Sequence, residues 1–111
     1  MEITKKKVIT STPFDNIDLL DIYEYGEATF GQKLADGFIA EIYRSLDKLE
    51  TQYLLHPECR HLETKTKIYR NIILGSYLII YRIRAHKIEV LRAFHGSRSP
   101  KIIKQVRKIK T

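Results

Sequence analysis

Lys67–Arg98, KIYRNIILGSYLIIYRIRAHKIEVLRAFHGSR, decides the fold. It reads as three short strands joined by tight turns. Ile68–Leu74 is followed by the two residues Gly75-Ser76 and then by Tyr77–Arg84; after Ala85-His86-Lys87 a third strand runs from Ile88 to about Phe94. Glycine at the first central position of a two-residue connection suits a type II′ hairpin. In the middle strand Tyr77, Ile79, Tyr81 and Ile83 share one face, and Leu78, Ile80, Arg82 and Arg84 share the other. The first face is wholly apolar or aromatic, while the second turns basic toward its end. An antiparallel meander follows, with one face made for burial.

What buries that face lies upstream. Val8-Ile9-Thr10 is a short β-branched strand candidate. Ser11-Thr12-Pro13 supplies a hydroxyl for an N-cap and proline at the first helical position. A helix is expected from Pro13 to Phe30, with Phe14, Ile17 and Ala28 near one face, Leu20 at its edge, and Leu19, Ile22, Tyr23 and Phe30 in a second stripe. Asp15, Asp18, Asp21 and Glu24 step by three, the earliest of them suited to the helix dipole. Gly31 is the boundary with a second helix. There Leu34, Phe38, Ile42, Leu46, Leu49 and Tyr53 form one apolar stripe over about five turns. Two antiparallel helices joined at a glycine must bury their stripes, and the downstream strands are the surface available. Ser99-Pro100 restarts a short helix with Ile102 or Ile103, Val106 and Ile109 turned inward. The expected architecture is α+β: a small antiparallel sheet packed against an αα-hairpin, in the order β-α-α-β-β-β with a short C-terminal helix. Residues 1–111 make one domain, with 1–7 and 108–111 expected to be flexible.

Charge is distributed unevenly. Residues 1–59 hold 6 Lys/Arg against 11 Asp/Glu, a net of −5, and residues 60–111 hold 14 against 2, a net of +12. So much positive charge over one half repels itself unless an anion or an acidic partner meets it. Nucleic acid and an acidic protein segment both fit. No apolar stretch approaches the roughly 18 residues of a membrane span. With no hydrophobic leader behind Lys5-Lys6-Lys7, a cytoplasmic location is expected. The lone Cys59 cannot form an internal disulfide. In the loop around Pro57, His56, Cys59 and His61 lack a fourth nearby ligand, so an ordinary polar loop at the surface explains them better than zinc does.

Several segments resemble a known family in order along the chain. Thr12–Gly31, TPFDNIDLLDIYEYGEATFG, looks like a first helix, and His56–Arg70, HPECRHLETKTKIYR, like a proline loop entering a second strand. Tyr69–Ile83, YRNIILGSYLIIYRI, and Ile88–Pro100, IEVLRAFHGSRSP, look like signature strands. Together they are similar to the RelE/ParE superfamily of toxins from bacterial type II toxin–antitoxin pairs, over roughly residues 8–100. The resemblance implies a growth-arresting toxin, of the kind tied to plasmid stabilisation, silenced by a cognate antitoxin.

The superfamily divides by target. RelE-like members are ribosome-dependent endoribonucleases that cut messenger RNA. ParE-like members poison DNA gyrase. The RelE-like enzymes carry lysines in the second strand and an arginine after the tyrosine of the third. The matching positions here are Tyr69, Asn71 and Leu78, none of them cationic. Gyrase inhibition by binding is therefore the leading expectation, with Arg70, Arg82 and Arg98 as target-contacting residues on the side of the sheet away from the hairpin. The alternative is a ribosome-dependent ribonuclease using His95, Arg98 and Arg82, with imidazole as the group that titrates near neutral pH. A third reading is a toxin fold that only binds its antitoxin. Against all three, Arg70 and Arg82 could form cross-strand ion pairs with Glu63 or Glu89, His95 could bond to backbone, and Tyr69, Tyr77 and Tyr81 could be packing residues. No cofactor, metal, membrane or small-molecule substrate is expected.

Overall fold

A computed structural model describes residues 3–111; the expected flexibility of Met1 and Glu2 lies outside the described residues. The chain runs through β1 (Lys7–Thr10), a π-helical turn (Phe14–Asp18) continuing into α1 (Leu19–Phe30), α2 (Gln32–Gln52), β2 (Tyr69–Leu74), β3 (Tyr77–Ile83), β4 (Lys87–His95), α3 (Pro100–Lys104) and a 3₁₀ turn (Gln105–Lys108). One four-stranded sheet has the order β1-β4-β3-β2. The meander β2-β3-β4 is antiparallel, as its hairpin turns require. Gly75 has φ 59° while Ser76 has no positive φ, the II′ pattern expected of that turn. The sheet as a whole is mixed, because β1 pairs in parallel with β4, with Val8 opposite Ile88. No hairpin links these two strands, so turn geometry does not dictate their direction.

Each face of the sheet carries a core. On the first, Phe14, Ile22, Ile42, Leu46, Leu49 and Tyr53 of the hairpin pack on Ile72, Ile79, Tyr81, Ile88, Val90 and Ala93. On the second, Ile103 and Val106 of the C-terminal segment cover Tyr69, Ile80, Leu91 and Phe94, joined by Cys59 and Leu62. Ile79 and Ile80 thus point into different cores from adjacent positions, as the strand's period of two requires. The second face is therefore covered over these residues, against the expectation that it would display arginines, and it opens toward the β2–β3 turn, where Ile73 is 62% exposed.

The hairpin turns at Gly31, whose φ of 94° and ψ of 160° lie in a region glycine alone occupies comfortably. The apolar stripe of α2 is buried from Ile42 to Tyr53, but Leu34 is 64% exposed. Phe38 lies 3.9 Å from where a side chain on Gly75 would begin, so it abuts the β2–β3 turn. Leu34, a helical turn nearer the hairpin tip, instead walls an open groove that Ser76, Tyr77 and His95 also line. In the first helix Phe14 and Ile22 are buried while Ile17, Leu20 and Phe30 are exposed, so only part of each expected stripe faces the core.

Both ends of the described chain make contacts where flexibility was expected. The Lys6 backbone N–H donates to the Glu50 carbonyl at 3.0 Å, and the Tyr53 hydroxyl donates to the Thr4 carbonyl at 2.6 Å. At the other end, Arg82 Nη2 donates to the Ile109 carbonyl at 2.9 Å, and the Thr111 hydroxyl donates to Glu89. No helix among the described residues is long and apolar enough to cross a membrane.

Candidate functional site

Two irregularities meet on β4 and shape the open part of the molecule. Ile80 faces Arg92 and Tyr81 faces Val90, which leaves Leu91 as an extra residue in a β-bulge. Before the bulge, Ile88 and Val90 face the hairpin core; after it Ala93 does, and His95, opposite Tyr77, follows the same face. An unbroken period of two from Ile88 would put His95 on the closed face. Beyond the last paired residue of β1, the outer edge of β4 is satisfied from the other side. The Ser11 N–H donates to the Val90 carbonyl at 2.9 Å and its hydroxyl donates to the Leu91 carbonyl, while Ser11 Oγ accepts the Phe14 N–H. Ser11 is thus the cap expected of it, and also a clamp on the bulge.

The π-helical turn then brings Asp18 to the same edge. Asp18 Oδ2 accepts the Ala93 N–H at 2.7 Å and Arg92 Nε at 2.8 Å, and Oδ1 accepts Arg92 Nη2 at 2.8 Å. This bidentate geometry is the strong form of an arginine–carboxylate contact. Arg92 Nη1 donates to nothing among the described residues, and the guanidinium lies 4.7 Å from the centre of the Phe94 ring. Sequence reasoning missed both partners. Asp18 was grouped with the dipole-facing acids, yet it sits at steps of four from Phe14 and Ile22, the two buried apolar residues of that face. That spacing was the available signal.

Arg92 and Asp18 line a cleft of about 420 Å³ with Asp21, Tyr25, Tyr77, His95, Ser97 and Arg98. An adjoining groove of about 350 Å³ is apolar, walled by Tyr25, Phe30, Leu34 and Phe38. Ile22, Tyr25, Tyr77 and His95 belong to both, so the two form one trough between the hairpin tip and the end of β4. Its floor is a chain of rings: Tyr77 lies 5.7 Å from Phe38 on one side and 5.7 Å, edge-on, from His95 on the other. Burial pushes the Tyr77 phenol above its ordinary value, so it stays a neutral hydrogen-bonding group at physiological pH. His95 Nδ1 accepts the Ser97 N–H at 3.2 Å and lies 2.8 Å from the Ser97 hydroxyl. With Nδ1 accepting, Nε2 carries the proton of the neutral ring.

The residues expected to form a cationic surface are dispersed. His95 and Arg98 share the cleft, where Arg98 lies over the Phe94 ring at 5.8 Å. Arg82 is only 3% exposed, on the closed face. It pairs with Glu89 at 2.7 Å and donates to the Tyr69 hydroxyl at 3.3 Å, so it is not placed to touch a target. Along β3 it is five residues from Tyr77, roughly 17 Å from the trough end of the strand. Arg70 donates instead to the Lys67, Leu54 and His56 carbonyls, fastening the proline loop to β2. Of the suggested ion pairs, Arg82 with Glu89 forms, and Arg70 has no carboxylate partner among the described residues.

Glu89 is the hub of the closed face. Arg84 approaches it at 2.9 Å and Lys87 at 3.6 Å, in addition to Arg82 and Thr111. Burial alone would raise its pKa, but hydrogen bonds from Arg82, Thr111 and Arg84 outweigh that and hold it at about 2. The His56, Cys59, His61 run forms no group of three metal-ligating side chains among the described residues. Cys59 is buried, its N–H donating to the Tyr69 carbonyl at 2.9 Å, and burial pushes its thiol up.

Comparison with known proteins agrees with this architecture. The structure is similar to one described as the chromosomal ParDE TA system from P. aeruginosa, with a TM-score of 0.67 at 17% identity, covering 83% of this chain and 97% of that one. No curated protein sequence matches. Residues 16–100 match the model of the ParE toxin of the type II toxin–antitoxin system parDE, and the match takes in the Asp18–Arg92 pair, both hairpins and His95. The chain belongs to the ParE toxin family of type II toxin–antitoxin systems.

Proposed function

We propose that this toxin arrests growth by binding DNA gyrase through the trough, with Arg92, His95 and Arg98 as contacts, and that its antitoxin silences it by filling the same trough. One observation supports binding over cleavage. The positions where RNA-cutting relatives would carry cations hold Tyr69, 7% exposed, Asn71, 6% exposed, and the half-buried Leu78, all directed at the closed face. A phosphodiester cleavage site needs an acid–base pair and cations around one phosphate. Here His95 and Arg98 remain in the open cleft, while Arg82 is sealed away from them. The trough suits a protein ligand better: apolar at the hairpin tip, charged at the β4 end, where Arg92 and Arg98 stand beside Asp18 and Asp21. An amphipathic antitoxin segment with apolar residues toward Leu34 and Phe38 and acids toward Arg98 fits that polarity.

A gyrase assay tests this. Purified toxin is expected to accumulate gyrase-dependent DNA breaks or block supercoiling, and His95→Ala with Arg98→Ala to weaken the effect more than about tenfold by removing central contacts. Prior addition of the antitoxin is expected to abolish it. The opposing result is message cleavage in a translating extract, lost by about 100- to 10,000-fold in His95→Ala, as removal of a general acid or base produces.

A further inference from the structure

We infer that the outer surface of the C-terminal segment is a second binding surface, separate from the trough, which engages the phosphate backbone of double-stranded DNA. After Glu89 the chain has no acidic residue, while Lys101, Lys104, Arg107, Lys108 and Lys110 follow within ten positions. All five are exposed, and none forms an ion pair among the described residues. Ile103 and Val106 are buried against the closed face of the sheet, so Lys104 between them and the lysines on either side are held on the outside of an anchored segment. Arg107 Nη2 donates to the Glu63 carbonyl at 3.2 Å, which brings the loop with exposed Arg60 and Lys65 alongside, Glu63 being exposed and the loop's other acid, Glu58, half-buried.

The chemistry selects the partner. Lys101, Lys104 and Lys108 recur at helical spacing and span about 10 Å at 1.5 Å per residue, enough for about three successive phosphates of one strand. Single-stranded nucleic acid would need exposed aromatic rings on which bases stack. The rings nearest this surface, Tyr69 and Phe94, are buried under it. An amphipathic acidic peptide would suit an apolar groove such as the one at the trough, walled by the hairpin tip. What is left is an exposed array of flexible ammonium groups, suited to a rigid, evenly charged rod. Gyrase holds duplex DNA, so this surface can act together with the proposed trough contact, yet it requires no gyrase to be tested.

The experiment titrates the full chain into a fluorescein-labelled 20-base-pair duplex and reads anisotropy between 50 and 200 mM NaCl. About four phosphate contacts predict a log–log salt slope near −3.6 and roughly a 100-fold loss of affinity over that range. Lys101→Glu, Lys104→Glu and Lys108→Glu together are expected to abolish binding at 200 mM salt while leaving the circular dichroism spectrum and melting temperature unchanged. The milder set Lys101→Gln, Lys104→Gln and Lys108→Gln is expected to lower the slope by about 3. His95→Ala with Arg98→Ala is expected to leave duplex binding intact. A slope shallower than −1, a duplex affinity unaffected by the lysine variants, or tighter binding to a single strand of equal length would each overturn the assignment. Because naked DNA is the ligand, failure here leaves the gyrase reading standing, and failure of that reading leaves this surface standing.

Discussion

Two arginine–carboxylate pairs flank β4, and their difference separates structure from site. In both, the carboxylate is buried: 3% of the Glu89 side chain and 4% of Asp18 are exposed. The arginines differ. The Arg82 side chain is 4% exposed, whereas that of Arg92 is 24% exposed and lines the cleft. Glu89 draws in Arg82, Arg84, Lys87 and Thr111, so its surroundings are closed and charge-saturated. Asp18 holds Nε and Nη2 along one edge of the guanidinium and accepts nothing from Nη1. A buried pair whose members are fully occupied acts as a clasp, while one with a free donor can present it to a ligand.

That contrast can be broken most directly at Glu89. Glu89→Gln leaves the Arg82 charge buried without its partner and is expected to cost about 3–5 kcal/mol in urea or guanidinium unfolding. For a domain of this size that approaches total stability, so low soluble yield is part of the expected outcome. A loss below about 1 kcal/mol would show that the clasp contributes nothing special.

Acid offers the same test without mutation. The folded pKa of Glu89, about 2, lies below its ordinary 4.5. Its contribution is therefore fully present above about pH 4.5 and is lost as pH falls toward 2. The gap corresponds to roughly 3 kcal/mol across that window. Thermal melts at pH 6, 4 and 2.5 measure it, and a curve flat over the range contradicts the clasp.

Asp18→Asn sharpens the other side. It removes the charge-assisted contacts to Arg92 but keeps an oxygen for the Ala93 N–H, so about 1.5–3 kcal/mol is expected. The same change frees Arg92 to move, so gyrase inhibition is expected to fall further than stability does. Equal destabilisation by Asp18→Asn and Glu89→Gln would erase the distinction between the pairs. The smallest stability effect is expected for Arg98→Ala, on an exposed turn: within about 0.5 kcal/mol. Growth arrest on induction is nonetheless expected to be relieved, which separates a contact residue from a structural one.

The three-stranded meander, the Gly75 turn, the Gly31 break, the helical hairpin and the capping Ser11 were legible because each is governed by local rules: a period of two, a period near 3.6, or a backbone angle that favours glycine. Leu34 shows where such rules stop. Its position in the α2 stripe is correct, yet a periodicity does not reveal how much of the stripe the sheet covers. Arg82 and Arg92 look alike in sequence, each a basic residue among apolar strand residues. Only packing sets them apart, because α3 and the tail close over one while the other meets Asp18 at the outer edge of β4.

The bulge carries the most weight for the site. One unpaired residue, Leu91, reverses the alternation of everything after it, and with it the face on which His95 stands. The sequence by itself determined the elements, their order, the uneven charge and the family, because these depend on near neighbours along the chain. Tertiary structure alone decided which charges are sealed and which are offered. Burial and strand register arise from contacts between residues as far apart as Asp18 and Arg92, and no local pattern records them.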